Sequence, residues 1–200
     1  MSQKPEDSPA SISQEDAEVL LQPHLPKLKQ VIFDAWAEWG KIPAVRRSKM
    51  NTRARAAILH SFMVHFAKVH FPQTNQVTPL ERRGLFLIGI GGVVTIRFKK
   101  FRYGKRTSNI QTNQQIDFDL QIDLPGIPKA ARLTVGYILD ASQTAIKDVL
   151  ITFRQAQRLL WDFSIAGTQA QVVRMPLPAA KSADATVRVR AKERVQKSSE

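Results

Sequence analysis

The sequence predicts an α+β domain, in which two N-terminal helices pack on a mainly antiparallel sheet of about six strands. Three observations lead to this class. Two amphipathic helical patterns precede the strand-like segments, a Gly-Gly pair separates two β-rich runs, and the links between the last strands are too short for a crossover helix. We expect the domain to span residues 26–166, between a mostly disordered segment at residues 1–25 and a flexible basic tail at residues 167–200.

Both helices are predicted from apolar residues at helical spacing. The first runs from about Pro26 to Gly40, with Trp36 and Trp39 on its apolar stripe. The second runs from about residue 52 to residue 70 and ends before a proline. Ser13 is also a candidate N-cap for a short helix inside the N-terminal segment.

The strongest strand signal is a β-hairpin formed by residues 85–90 and 93–98, because the Gly91-Gly92 pair between them supplies the positive φ angles of a tight turn. If Ile90 pairs with Val93, one face of the hairpin is apolar and the other is charged. The apolar face then contains Leu85, Leu87, Ile96 and Phe98, and the charged face contains Thr95, Arg97 and Lys99. Alternating apolar residues predict four further strands at residues 116–124, 132–140, 147–154 and 158–165.

Charge is distributed unevenly along the chain. The net charge is +13, and residues 31–110 hold 15 basic and 3 acidic side chains, a net +12. A concentrated excess of this kind is typical of a surface that binds nucleic acid or another polyanion. The alternatives are a basic protein that is simply soluble or one that binds an acidic partner.

Basic residues crowd the start of the second helix, where the helix dipole is already positive. An anion bound to the free backbone N–H groups would explain this arrangement, whereas the alternative is that the side chains extend into water. Together with the basic residues that follow the hairpin, they form a predicted nucleic-acid-binding set of Arg46, Arg47, Lys49, Arg53, Arg55, Lys100, Lys105 and Arg106.

The hairpin also supplies a candidate catalytic set. Arg97, Lys99, Arg102 and Tyr103 continue one strand out of the core, and such side chains can stabilise the charge that develops when a phosphodiester is cleaved. The alternative is an edge strand protected by solvated lysines. No metal site and no cofactor are predicted, because steps of five between His60, His65 and His70 do not converge on a helix and no phosphate-loop or dinucleotide motif is present.

Eight short segments carry a resemblance to a known group of proteins. They are Leu28-Lys-Gln-Val-Ile-Phe-Asp-Ala-Trp, Thr52-Arg-Ala-Arg-Ala, Arg83-Gly-Leu-Phe-Leu, Arg97-Phe-Lys-Lys, Asn109-Ile-Gln-Thr, Asp117-Phe-Asp, Leu124-Pro-Gly and Leu133-Thr-Val-Gly-Tyr. Over roughly residues 28–165 the chain resembles bacterial proteins encoded beside helix-turn-helix proteins with an ImmA-type peptidase domain. That gene layout is similar to toxin–antitoxin or prophage defence cassettes. The resemblance implies a toxin or effector with a cognate acidic or helix-turn-helix partner, and it supplies no catalytic residues.

Taken together, these features predict a cytoplasmic protein that binds RNA or DNA and acts as the toxin or effector of a two-gene cassette. Its enzymatic form would be a metal-independent ribonuclease. The alternative is a non-enzymatic interaction protein whose basic surface binds an acidic or helix-turn-helix partner. Membrane association is not expected, because no segment approaches 18 uninterrupted apolar residues.

Overall fold

A computed structural model describes residues 10–82, 84–107, 118, 129–155 and 158–167 of the chain. The helices come first: α1 (Gln14–Leu21), α2 (Leu25–Lys41), α3 (Ala44–Arg47) and α4 (Thr52–His70). The two predicted helices are therefore confirmed as α2 and α4. Within the described residues, none of the helices combines the length and apolar composition that a membrane crossing needs.

Helix α1 belongs to the domain, which corrects the predicted boundary at residue 25. Ser13 caps it as expected, accepting a hydrogen bond from the Asp16 backbone N–H at 3.1 Å. Ala17 and Leu21 on its inner face are fully buried in the core. The mostly disordered assignment is therefore wrong for residues 14–25, because burial of this apolar face repays the cost of ordering the helix.

Among the described residues, six strands form one sheet in chain order: β1 (Val77–Arg82), β2 (Leu85–Ile90), β3 (Val94–Lys100), β4 (Ala131–Leu139), β5 (Ile146–Gln155) and β6 (Arg158–Ser164). Four of the five neighbouring pairs are antiparallel, and β3 and β4 are parallel. The domain is thus α+β with a mixed sheet.

Two strand assignments differ from the prediction. Strand β1 was not predicted. It contains Pro79, which is tolerated because β1 lies at the edge of the sheet that the described residues form. The predicted strand at residues 116–124 lies outside the described residues except at Phe118, where the backbone is helical and the strand assignment is wrong. The predicted basic tail lies outside the described residues beyond position 167.

The hairpin is confirmed, but its register is shifted by one residue. Ile90 pairs with Val94 and Ile88 with Ile96, so the turn has three residues, with Gly91 and Gly92 at positive φ. When the register shifts by one residue, the side chains of one strand move to the opposite face of the sheet relative to those of its partner strand. Leu85 and Leu87 therefore lie on the sheet face opposite to the one that was predicted for them.

The two faces of the sheet have different chemistry. The helix-covered face packs α1, α2 and α4 against apolar strand residues in one continuous core. The face away from the helices is also buried at its centre, although its central residues are polar: Thr95, Arg97, Arg132, Thr134 and Thr152 are at most 4% exposed. The prediction of a solvent-exposed charged face is therefore wrong for Arg97.

The parallel pairing of β3 with β4 depends on close contact at Gly136. The pairing extends past the end of β3, where the Phe101 N–H donates to the Tyr137 carbonyl at 2.9 Å. A Cβ atom at Gly136 would lie 2.3 Å from the Lys99 carbonyl oxygen and 2.6 Å from the Phe101 ring. Only glycine lets the backbone of β3 and the Phe101 ring approach β4 this closely.

We predict that Gly136→Ala lowers the free energy of unfolding by about 1–3 kcal/mol, because the added methyl group overlaps backbone that cannot move away cheaply. Urea denaturation followed by circular dichroism would measure the change. Gly89→Ala is the matched control, since its Cβ would meet nothing nearer than the Thr78 carbonyl oxygen at 3.4 Å. Equal midpoints for the two variants would contradict this account of the β3–β4 contact.

Candidate nucleic-acid interface

The basic residues around the start of α4 lie where the chain passes from α3 into α4, a region that we call the α3–α4 corner. Asn51 caps α4 and accepts a hydrogen bond from the Ala54 N–H at 2.8 Å, and no acidic residue lies in the first turn. Arg46, Lys49 and Arg53 are exposed at this corner, whereas Arg47 and Arg55 are half-buried. The local sequence therefore places five positive side chains at the positive end of a 19-residue helix.

Arg55 connects this corner to the turn between β4 and β5. Its Nη1 donates to the Gln143 carbonyl oxygen at 3.1 Å, and its Nη2 donates to the Gln143 side-chain oxygen. Asp140 shapes the turn, because its Oδ1 accepts from the Thr144 and Ala145 N–H groups at 2.7 and 3.1 Å. The Ser142 hydroxyl also donates a hydrogen bond to the Asp140 carboxylate. This bond is the largest cause of the lowered pKa of Asp140, and the two backbone bonds lower that pKa further.

A cleft of about 420 Å³ opens between the corner and this turn. None of the described residues that line it is acidic. They are Trp39, Arg47, Ser48, Met50, Thr52, Arg55, Ser142, Gln143 and Thr144. Sequence reasoning identified the two arginines, and its assignment of Trp39 to the core is confirmed, because Trp39 is buried and lines the cleft from the core side. It had no reason to bring a turn some 90 residues away onto the start of α4.

The end of β3 adds more positive charge beside Arg55. Lys100 is half-buried and pairs with Tyr137 of β4. Burial lowers the pKa of the Lys100 ammonium, and the positive charges of Arg55 and Arg102 lower it further. Burial also raises the pKa of the Tyr137 phenol. The structure thus brings Arg55 of α4, which is far from Lys100 and Arg102 in sequence, within electrostatic range of Lys100.

The segment after β3 is held against β5 and β6. A short 3₁₀ helix, Tyr103–Lys105, is anchored by Arg154, whose Nη2 donates to the Lys105 carbonyl at 2.8 Å. The Lys105 ammonium pairs with Asp162 at 2.5 Å, so a neighbouring carboxylate compensates its charge. Arg106 is exposed, and the Tyr103 side chain lies outside the described part of the structure.

The predicted catalytic set does not assemble on one surface. Arg97 is 2% exposed, lies 4.0 Å from the Phe118 ring centre, and donates through Nε to the Thr134 hydroxyl at 3.0 Å. Lys99 is half-buried and shares its sheet face with Arg97, because strand residues two apart point to the same side. Arg102 is exposed. The expectation that Arg97 offers its guanidinium to a substrate is therefore corrected.

Comparison with known proteins adds no relative from which a role could be transferred. No protein-family model, curated protein or solved structure matches this chain. Functional inference therefore depends on the geometry and charge of the site.

Arg97 is expected to matter for stability, because truncation of a large buried side chain leaves a cavity and an unpaired Thr134 hydroxyl. We predict that Arg97→Ala lowers the free energy of unfolding by about 2–5 kcal/mol, a cost typical of large-to-small changes in a core. Chemical denaturation would measure it. Arg102→Ala, at an exposed position, should change stability by no more than about 0.5 kcal/mol. Equal stability of the two variants would show that Arg97 does not stabilise the fold.

His60 makes stability depend on pH. The pKa of this α4 histidine is lowered to about 4, mainly by burial and also by the charge of Lys99, while the backbone of Phe98 acts in the opposite direction. The pKa of a histidine in an unfolded chain is near 6.5. Between about pH 6.5 and 4 the unfolded chain therefore binds a proton at His60 that the folded protein does not bind. The contribution of His60 is complete above about pH 6.5 and falls by about 3 kcal/mol as the pH reaches 4.

Replacing the imidazole should remove that pH dependence. His60→Gln is expected to flatten the loss of unfolding free energy between pH 6.5 and 4, measured by urea denaturation at a series of pH values. His65→Gln, on the exposed side of the same helix, is the control and should leave the slope unchanged. A slope that is unaltered in His60→Gln would mean that other groups cause the acid sensitivity.

Proposed function

We propose that this protein binds nucleic acid through the surface formed by the α3–α4 corner and the end of β3, which we call the basic surface. The observation that supports this most directly is the grouping of Arg55, Lys100 and Arg102: burial lowers the pKa of Lys100 most, and the positive charges of Arg55 and Arg102 lower it further. A phosphate among these groups would relieve the repulsion and gain charge-assisted hydrogen bonds. The sugar–phosphate backbone of a nucleic acid could extend from there across the exposed Arg46, Lys49 and Arg53.

The arrangement favours a polyanion over general solubility. Charges that serve only solubility are normally spread out and mixed in sign. Here the positive side chains come from two separate parts of the chain, the α3–α4 corner and the end of β3, and no acidic residue is among the described residues that line the cleft beside Arg55. The two carboxylates of Asp140 and Asp162 are engaged by the β4–β5 turn and by Lys105, respectively.

We propose that in the cell this protein acts as the toxin or effector of a two-gene bacterial cassette. Its cognate partner, an acidic or helix-turn-helix protein, would cover the basic surface. The charge of that surface supports the proposal, because an acidic partner would compete with nucleic acid for the same arginines and lysines. Expression alone should then slow growth, and co-expression of the partner should restore it.

A metal-independent ribonuclease is the enzymatic version of this proposal. The exposure of Arg102 next to Lys100 favours it, since both could face a scissile phosphate. With Arg97 buried and Lys99 on the same sheet face as Arg97, chemistry would depend on Arg102 and Tyr103. Tyr103→Phe separates the versions: a ribonuclease loses RNA cleavage while still binding RNA, whereas a binding protein is unaffected. Sequencing of RNA ends after brief expression reports cleavage directly.

We predict a steep salt dependence of nucleic-acid binding. If several phosphates are neutralised, log K against log[salt] should have a slope of magnitude about 4 or more. Replacing Lys99, Lys100 and Arg102 by Ala should lower that magnitude by about one for each phosphate that the variant no longer neutralises. Fluorescence anisotropy of a labelled oligonucleotide at several salt concentrations would measure both.

Lys68→Ala is the matched control for charge. Lys68 is exposed near the other end of α4 and pairs with Glu81 at 2.6 Å, outside the basic surface. It should leave the salt slope unchanged. A flat salt response of the unmodified protein, or an equal effect of Lys68→Ala, would contradict the proposed interface.

A further inference from the structure

The cleft beside Arg55 has a composition that phosphate binding alone would not require. Positive groups lie on one part of its wall, from Arg47 and Arg55, while Trp39 and Met50 supply an apolar part. The other residues that line it supply an amide and four hydroxyl side chains. Its volume of about 420 Å³ is within the range of about 300–1,000 Å³ that small-molecule sites occupy.

We propose that this cleft holds one nucleotide unit of a single-stranded nucleic acid, with its phosphate at Arg55 and its base against Trp39 and Met50. This inference rests on the proposed nucleic-acid binding and names the form of the ligand.

The phosphate end is built by Arg55. Two of its N–H groups are directed to Gln143, and these bonds hold the guanidinium at the wall of the cleft. A guanidinium carries five N–H donors, so the fork can still bind a phosphate oxygen. Thr52, the first residue of α4, also lines the cleft, which places the positive end of the helix dipole on the same side.

The base end is apolar and shallow. Trp39 is 3% exposed, so it contributes an apolar wall and not an open stacking platform. Met50 is half-buried, and a flexible thioether adapts to flat rings of different size. Such a wall would accept any base by van der Waals contact, while Gln143 and the hydroxyl groups could bond to its polar edge.

This geometry favours single strands. A base inside a duplex is paired and stacked, and its removal into a cleft costs a few kcal/mol, whereas an unpaired or terminal nucleotide enters without that cost. We therefore expect single-stranded oligonucleotides to bind at least about tenfold more tightly than duplexes of the same length and salt conditions.

Tryptophan fluorescence of the full chain tests the proposal directly. Of Trp36, Trp39 and Trp161, Trp39 is the one that lines the cleft. Titration with AMP and CMP should change the tryptophan emission and displace a labelled single-stranded oligonucleotide, and inorganic phosphate should do so much more weakly. Trp39→Phe should abolish the emission change. Arg55→Gln should weaken nucleotide binding by about tenfold or more, as expected for loss of a charged hydrogen bond.

Lys68→Gln is the matched control, since Lys68 lies on the same helix near its other end, pairs with Glu81 at 2.6 Å and does not line the cleft. It should leave nucleotide binding unchanged. Thermal melts of all three variants would show that they are folded, and the competition experiment with unmodified protein does not depend on any variant.

The outcomes separate this inference from the proposed function. If oligonucleotides bind with a steep salt dependence but nucleotides neither change emission nor compete, the nucleotide cleft is wrong and the basic surface remains. Equal competition by inorganic phosphate, or equal affinity for duplex and single strand, would also overturn the cleft. If nucleotides bind the cleft but no oligonucleotide binds, the proposed function fails instead.

Discussion

The parallel pairing of β3 with β4 is the constraint on which the candidate site depends. Parallel strands have their C-terminal ends at the same edge of a sheet. The segment that follows β3, with Arg102, therefore lies at the same edge as the β4–β5 turn. Helix α4 starts at that edge too, as the bonds from Arg55 to Gln143 show. In a fully antiparallel sheet these charges would lie at opposite ends of the domain.

The position of β3 inside the sheet also determines which of the hairpin's charged residues are buried and which reach the candidate interface. Because both faces of the sheet are covered at β3, its side chains cannot all reach solvent. Lys100 points to the helix side, near Arg55, whereas Arg97 points to the other face and packs on Phe118. One run of basic residues thus supplies both a buried structural arginine and a partly exposed lysine at the candidate interface. Burial and exposure, and not residue type, distinguish the two roles.

The candidate interface also contains positive charges in electrostatically unfavourable positions. Arginines at the start of α4 oppose the helix dipole, and Lys100 is held near two other cations. Proteins retain such unfavourable arrangements where a ligand or partner compensates them, and functional sites are where local rules are most often broken. The nucleotide cleft provides a location for that compensation, with the β4–β5 turn as its rigid wall.

The sequence by itself determined the local elements. Helical spacing located α2 and α4, Ser13 marked the start of α1, and the Gly91-Gly92 pair marked the hairpin, because each signal acts within a few residues. It also determined where positive charge concentrates, since charge is a property of composition. Tertiary structure alone decided the parallel β3–β4 pairing, the one-residue register shift and the burial of Arg97. These depend on contacts between distant segments, such as Phe101 over Gly136 and Arg55 with Gln143, and no local pattern encodes which segments will meet.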